Sequence, residues 1–238
     1  MSSTTNVLDF SDIYTDILNK MRQPTNVTAI TAQAKRYANT ALHDMVFGFE
    51  YKLPWLERSS FITTMAPYTT GTVAVTRGSV TVTGTDTLWT TANVYNVNNA
   101  RTSGKLSFGG GDIYTISAVG GAGTITMHQR YVAGADLAAG SSYTYFEDEY
   151  ALPSDFLKPI DYQCFSQALN ITIVGRNDFR RMYPSPRISG TPTVATILDK
   201  AFTTTSTQPM SVQFYPYPST NLLIPYTYVT KNLAVSSV

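Results

Sequence analysis

The sequence has 238 residues, of which only 14% are charged, against roughly 25% in an ordinary globular chain. Its 17 basic and 16 acidic residues leave a net charge of +1, which excludes a protein built to grip phosphate backbones through a basic excess. A surface so poor in charge is covered either by Thr, Ser, Asn and Tyr or by other subunits, and the second reading is adopted here.

The single Cys164 excludes an internal disulfide. The opening residues Met1 to Asn6 show no basic region followed by an apolar run, and no window reaches the roughly 18 apolar residues of a membrane span. The expectation is a soluble protein made in a cytoplasm, without a membrane partner. The sequons at Asn26 and Asn170 therefore carry no weight.

Two helices open the chain. Phe10, Ile13, Ile17 and Met21 recur at spacings of three and four, with Asp9 and Asp12 placed to stabilise the first-turn amides. Pro24 ends this helix. A second starts after Thr25, with an apolar stripe at Val27, Ile30, Ala34, Tyr37, Ala41 and Met45 that reads as core, and Gly48 as its stop. An aromatic stretch from Phe47 to Tyr51 leads into Leu53-Pro54-Trp55-Leu56.

The pattern changes at Thr69. Val73, Val75, Val80 and Val82 alternate with small polar residues around Arg77-Gly78, which predicts a tight hairpin. Trp89 is placed to close a small β-core. Further strands are predicted at Leu106–Phe108, Ile113–Ile116, Ile125–Met127 and Tyr143–Phe146, separated by the glycine-rich turns Gly109-Gly110-Gly111 and Gly120-Gly121-Ala122-Gly123. Beyond Glu147-Asp148-Glu149, strands alternate with proline-rich turns. A short helix is predicted at Asn177–Met182, and Ser211–Tyr215 and Leu222–Tyr228 are expected to pair with each other. The fold class is α+β. Residues 1–68 form a helical hairpin or bundle, and 69–148 an inserted β-sandwich or small β-barrel. Residues 149–238 form a mixed segment completing the core, with an extended arm at 231–238.

Chemistry is sparse. His43 and His128 each lack a second metal ligand at a workable spacing. The glycine runs precede no helix and carry no lysine, so they read as turns rather than phosphate cradles. Glu147, Asp148, Glu149 and Asp155 could serve a glycosidase only by facing each other across a cleft, and they read instead as a solvated junction. Cys164 has no base beside it. No enzyme, cofactor or metal is expected. Arg176, Arg180, Arg181 and Arg187, near Tyr183, read as a solvated face or subunit interface rather than a DNA grip.

Several stretches together resemble the head-to-tail adaptor (head-completion or connector) proteins of tailed bacteriophages. They are the helix pair ending in Leu53-Pro54-Trp55-Leu56, the hairpin Gly71 to Thr85 followed by Trp89, Asp112-Ile113-Tyr114-Thr115-Ile116, Tyr150 to Phe156, Phe214 to Pro218, and Ile224 to Tyr228. The resemblance covers most of the chain and rests on the order of these motifs. It implies a virion protein at the head–tail junction, in a ring usually of twelve copies. That ring would dock on the portal protein, meet a tail or nozzle protein, and let genomic DNA pass its lumen without sequence-specific binding. It also implies a terminal arm that reaches the portal. The candidate interface residues are Tyr51, Trp55, Tyr183 and the arm residues Lys231, Asn232, Leu233, Ala234 and Val235. The alternative is a carbohydrate-binding or adhesive β-module, with Trp89, Tyr95 and Tyr114 as sugar-stacking rings.

Overall fold

The computed structural model describes residues 10–47, 56–93, 95–109, 111–161, 164–165, 169–184, 187–198 and 210–231. Contacts divide the chain into two units, Met1–Arg58 with Val229–Val238, and Ser59–Tyr228. Most of the described structure is β-sheet, with three helices.

In the first unit, α1 (Phe10–Lys20) and α2 (Thr28–Phe47) pack on each other. Among their described side chains, Leu18, Ala34 and Ala38 are buried, the two alanines bringing the backbones close. The Lys35 ammonium lies 4.8 Å from the Tyr14 ring centroid across the pair. Two expectations change. Helix α2 begins at Thr28 rather than after Thr25, with the Thr31 hydroxyl donating to the Val27 carbonyl at 3.1 Å. The stripe read as core is not buried as a whole: Val27 and Ala41 are exposed and Tyr37 keeps 56% of its surface in water. The small residues set the helix contact, and it falls off the centre of the large-residue stripe.

Strand β1 (Glu57–Thr63) runs into the second unit, which continues with β2 (Thr72–Val75), β3 (Thr81–Thr85), β4 (Lys105–Ser107), β5 (Ile113–Gly121), β6 (Thr124–Met127), β7 (Leu137–Ser141) and β8 (Thr144–Phe146). Strands β2 to β8 form one seven-stranded sheet in the order β7-β2-β3-β6-β5-β4-β8. Its edges, β7 and β8, are consecutive in the chain and joined by Ser142 and Tyr143 alone. Six strand-to-strand steps would set flat edges about 29 Å apart, whereas the linker spans about 10 Å at most. The sheet must therefore curl. Strand β5 makes the corner: its first residues pair with β4, its later ones with β6, and the register shifts between Ile116 and Ala118. Alternate residues point inward, so Val73, Val75, Val82, Leu106, Ile116 and Ile125 are buried with Trp89 and Tyr145 in one core.

The β2–β3 hairpin forms, but not as a tight turn on Arg77-Gly78. The register Thr72↔Thr85 and Ala74↔Thr83 leaves residues 76–80 as the connection, with Val80 outside the strand. Gly78 takes φ 79°. The segment after β6 holds this loop: the Gly78 amide donates to the Tyr131 carbonyl at 2.8 Å, the Tyr131 amide to the Ser79 carbonyl at 2.9 Å, and the Arg77 amide to Asp136 at 2.7 Å.

Gly71, at φ 82°, sits where a Cβ would lie 2.5 Å from the Thr85 carbonyl oxygen. Both conformation and space demand glycine there, so Gly71→Ala is expected to cost about 2–4 kcal/mol in urea unfolding.

The rest of the unit comprises β9 (Glu149–Ala151), β10 (Phe156–Pro159), β11 (Thr172–Ile173), α3 (Arg176–Met182), β12 (Ser189–Gly190), β13 (Val194–Leu198), β14 (Ser211–Tyr215), β15 (Tyr217–Pro218) and β16 (Leu223–Thr230). They build sheets β11-β13-β14-β9, β12-β15 and β1-β16-β10. Strands β14 and β16 do not pair with each other, contrary to the sequence reading. A strand has two edges, and those of β14 are taken by β13 and β9, so β16 pairs with β1 and β10. A second core lies here, with Phe165, Phe214, Ile224 and Tyr226 at its centre. Among the described residues, no helix is long and apolar enough to cross a membrane.

Candidate functional site

The acids between β8 and β9 are not a solvated junction. Glu147 and Asp148 are buried, and each meets a cation, Arg101 from the segment before β4 and Lys105 from β4 itself. Arg101 donates from Nε to Glu147 Oε1 at 2.8 Å and from its terminal nitrogen to Oε2, a two-pronged pair. The Tyr145 hydroxyl also donates to Glu147. Lys105, with 15% of its side chain exposed, pairs with Asp148, whose same carboxylate oxygen accepts from Gln213 of β14 at 2.7 Å. The other carboxylate oxygen of Asp148 is buried and accepts no bond from the described groups.

This seam ties the two cores of the second unit together. The Tyr150 hydroxyl donates to the Glu147 carbonyl at 3.2 Å and accepts from the Met65 amide at 3.2 Å. Phe146 stacks on Tyr217 at 4.1 Å, and Ser211 donates to Glu149 at 2.7 Å. Burial acts to lower the Arg101 pKa, but the hydrogen bonds and charge of Glu147 outweigh it and hold the guanidinium above its usual value. Burial, reinforced by the Glu147 charge, keeps the Tyr145 phenol far above its usual range. Both acids are held by a cation and a further donor, Glu147 by Arg101 and Tyr145 and Asp148 by Lys105 and Gln213, which is the chemistry of a brace. Sequence reasoning missed it. No local signal marks it, because each acid lies more than forty residues from its cation.

Beside the seam, an open cleft of about 580 Å³ runs between the start of β5, the end of β6 and the loop after α3. Lys105, Arg130 and Arg187 line it together with Asp112, and its apolar wall includes Ile113 and Val132. Arg187 pairs with Asp112 at 3.6 Å, and Arg130 donates to the Gly78 carbonyl at 2.8 Å. Of the expected arginine group, Arg187 alone lines this cleft. Arg176, Arg180 and Arg181 lie exposed on α3, with Arg181 3.2 Å from Asp178.

Of the expected interface residues, Tyr51, Trp55, Asn232, Leu233, Ala234 and Val235 lie outside the described residues. Lys231 is exposed. Tyr183 is half-buried, stacked on Tyr215 at 3.8 Å and edge-on to Phe179 at 5.5 Å, so most of its ring serves internal packing. Of the three rings assigned to sugar stacking, Tyr114 on β5 and Trp89 in the β3–β4 connection are buried in the core, and Tyr95 is exposed. His128 is exposed and follows β6 rather than lying in it; the side chain of His43 lies outside the described residues. Among the described residues, no group of three His, Cys, Asp or Glu could hold a metal ion.

Cys164 is buried, and burial together with the Asp161 charge pushes its thiol up to about 12. The folded protein is therefore expected to resist thiol reagents at neutral pH and to label fully once unfolded, as titration with a chromogenic disulfide would show.

Several large apolar residues are exposed. They include Met21, Val27 and Tyr37 on the helix pair, Phe61 and Leu223 on the neighbouring strands β1 and β16, and Leu88, Val132 and Ile188. No protein-family model, curated protein or solved structure matches the chain.

Proposed function

We propose that the chain is a structural subunit of a tailed-phage virion, an adaptor that docks as a ring on the portal and passes DNA to the tail. The observation that carries this reading is the helix pair. Among the described side chains, Leu18, Ala34 and Ala38 are buried, while Met21, Val27 and Tyr37 stay in water. Large apolar side chains left open on a helix pair are what an assembly partner covers. The low charge and the exposed Phe61–Leu223 pair support the same reading. The buried Arg101–Glu147 and Lys105–Asp148 pairs brace the second unit, which suits a load-bearing subunit. The carbohydrate reading would rest on Tyr95 alone, since the other two rings face inward.

The arm is tested by co-sedimentation with the portal ring of the same virion. Deleting Lys231 to Val238 is expected to abolish pelleting with the portal, and Tyr37→Asp to weaken it. Undiminished pelleting of both variants would count against docking through either segment.

A further inference from the structure

The loop between β3 and β4 carries strained backbone at a telling place. Asp86, Leu88, Asn96 and Ser103 all have positive φ, and Leu88, at 50°, has none of the local hydrogen bonding that lets Asn or Asp adopt this conformation. Its neighbours explain the strain. The Thr87 hydroxyl donates to the Ala122 carbonyl at 2.6 Å, and the Trp89 amide donates to the same carbonyl at 3.1 Å. Both neighbours are buried, so the residue between them is forced outward, with 49% of its surface exposed. The Asn99 side chain fixes the Leu88 carbonyl at 3.0 Å. The loop also exposes Tyr95, and Asp86 is its one charged residue between Gly84 and Asn99.

This projection sits at the turn end of the β5–β6 hairpin, beside Ala122. The cleft of about 580 Å³ lies at the other end of the same hairpin, at Ile113, Thr115, Gln129 and Arg130. Nine residues of strand, roughly 30 Å when extended, separate the two ends. The two surfaces are complementary: a leucine with one acid on the projection, and in the cleft an apolar wall at Ile113 and Val132 beside Arg130, where Lys105 and Arg187 are engaged by Asp148 and Asp112.

We infer that the Leu88 loop of one copy seats in the Arg130 cleft of the next, a head-to-tail contact between β-modules. A projection and a recess on different parts of one surface make a heterologous interface, which closes into a ring or runs on as a filament. A segment held by these hydrogen bonds also has less entropy to lose on docking. The contact supplies the lateral interface that the ring reading requires, and it is tested without a portal, so that failure here and failure of portal docking are told apart.

The experiment is disulfide cross-linking of the full chain at high concentration under mild oxidation, with folding checked by circular dichroism. Both sites are exposed, and Cys164 is buried in every variant. Leu88→Cys mixed with Val132→Cys is expected to give a dimer and nothing longer, because each chain offers one thiol. The double variant is expected to give a ladder. Adding Arg130→Glu lowers cross-linking by about tenfold or more, and Asp86→Arg restores it. No dimer from the mixture, or a dimer from Leu88→Cys alone, overturns the proposal.

Discussion

Asp148→Ala is expected to lower the free energy of unfolding by about 3–5 kcal/mol, read as a drop in urea midpoint at unchanged slope. The carboxylate is fully buried, and its partner Lys105 has only 15% of its side chain in water. Removing the acid leaves an ammonium with little solvent and no counter-charge of its own, since Glu147 is engaged by Arg101 and Tyr145. Gln213 loses its acceptor in the same step. A buried pair is costly to break but not costly to replace as a whole. The double change Lys105→Met with Asp148→Leu is therefore expected to recover most of the loss. A single-variant loss below about 1 kcal/mol would mean that the seam is hydrated rather than sealed.

Trp89→Ala is the second large effect, expected at about 3–5 kcal/mol. The indole is fully buried, meets Tyr143 edge-on at 5.7 Å, and donates from Nε1 to the Tyr143 hydroxyl at 2.9 Å. That hydroxyl in turn donates to the Thr70 carbonyl at 2.7 Å, so one ring links the loop, the β7–β8 linker and the entry to β2. Trp89→Phe retains much of the volume and loses the N–H, and is expected to cost about 1–3 kcal/mol. The difference between the two variants separates packing from hydrogen bonding. Because Trp89 pins one side of Leu88, the alanine variant should also lose the cross-link between copies out of proportion to its loss of folded protein at 10 °C below its midpoint.

The parts of the fold legible in the sequence are those set by local pattern. Alternation of valines with small polar residues marks β2 and β3, short apolar-polar-apolar runs after glycines mark β4 and β6, and Pro184 and Pro186 mark the end of α3. Strand β7, Leu137–Ser141, has Ala-Ala-Gly at its centre and no alternation to read; it is a strand because β2 offers an edge. Which strands pair is likewise a tertiary outcome, as the separation of β14 from β16 shows. The buried charges were illegible for the same reason. Glu147 and Asp148 lie 46 and 43 residues from Arg101 and Lys105, and nothing local distinguishes a buried acid from one in water. On α2, the stripe located the helix, but the described buried positions are Ala34 within it and Ala38 beside it.

Electron microscopy of the chain mixed with the portal ring of the same virion, beside each component alone, tests the adaptor reading most directly. The account predicts an extra collar of density on one end of the portal, present only in the mixture and with one copy per lateral contact. Bare portals at saturating chain would contradict it.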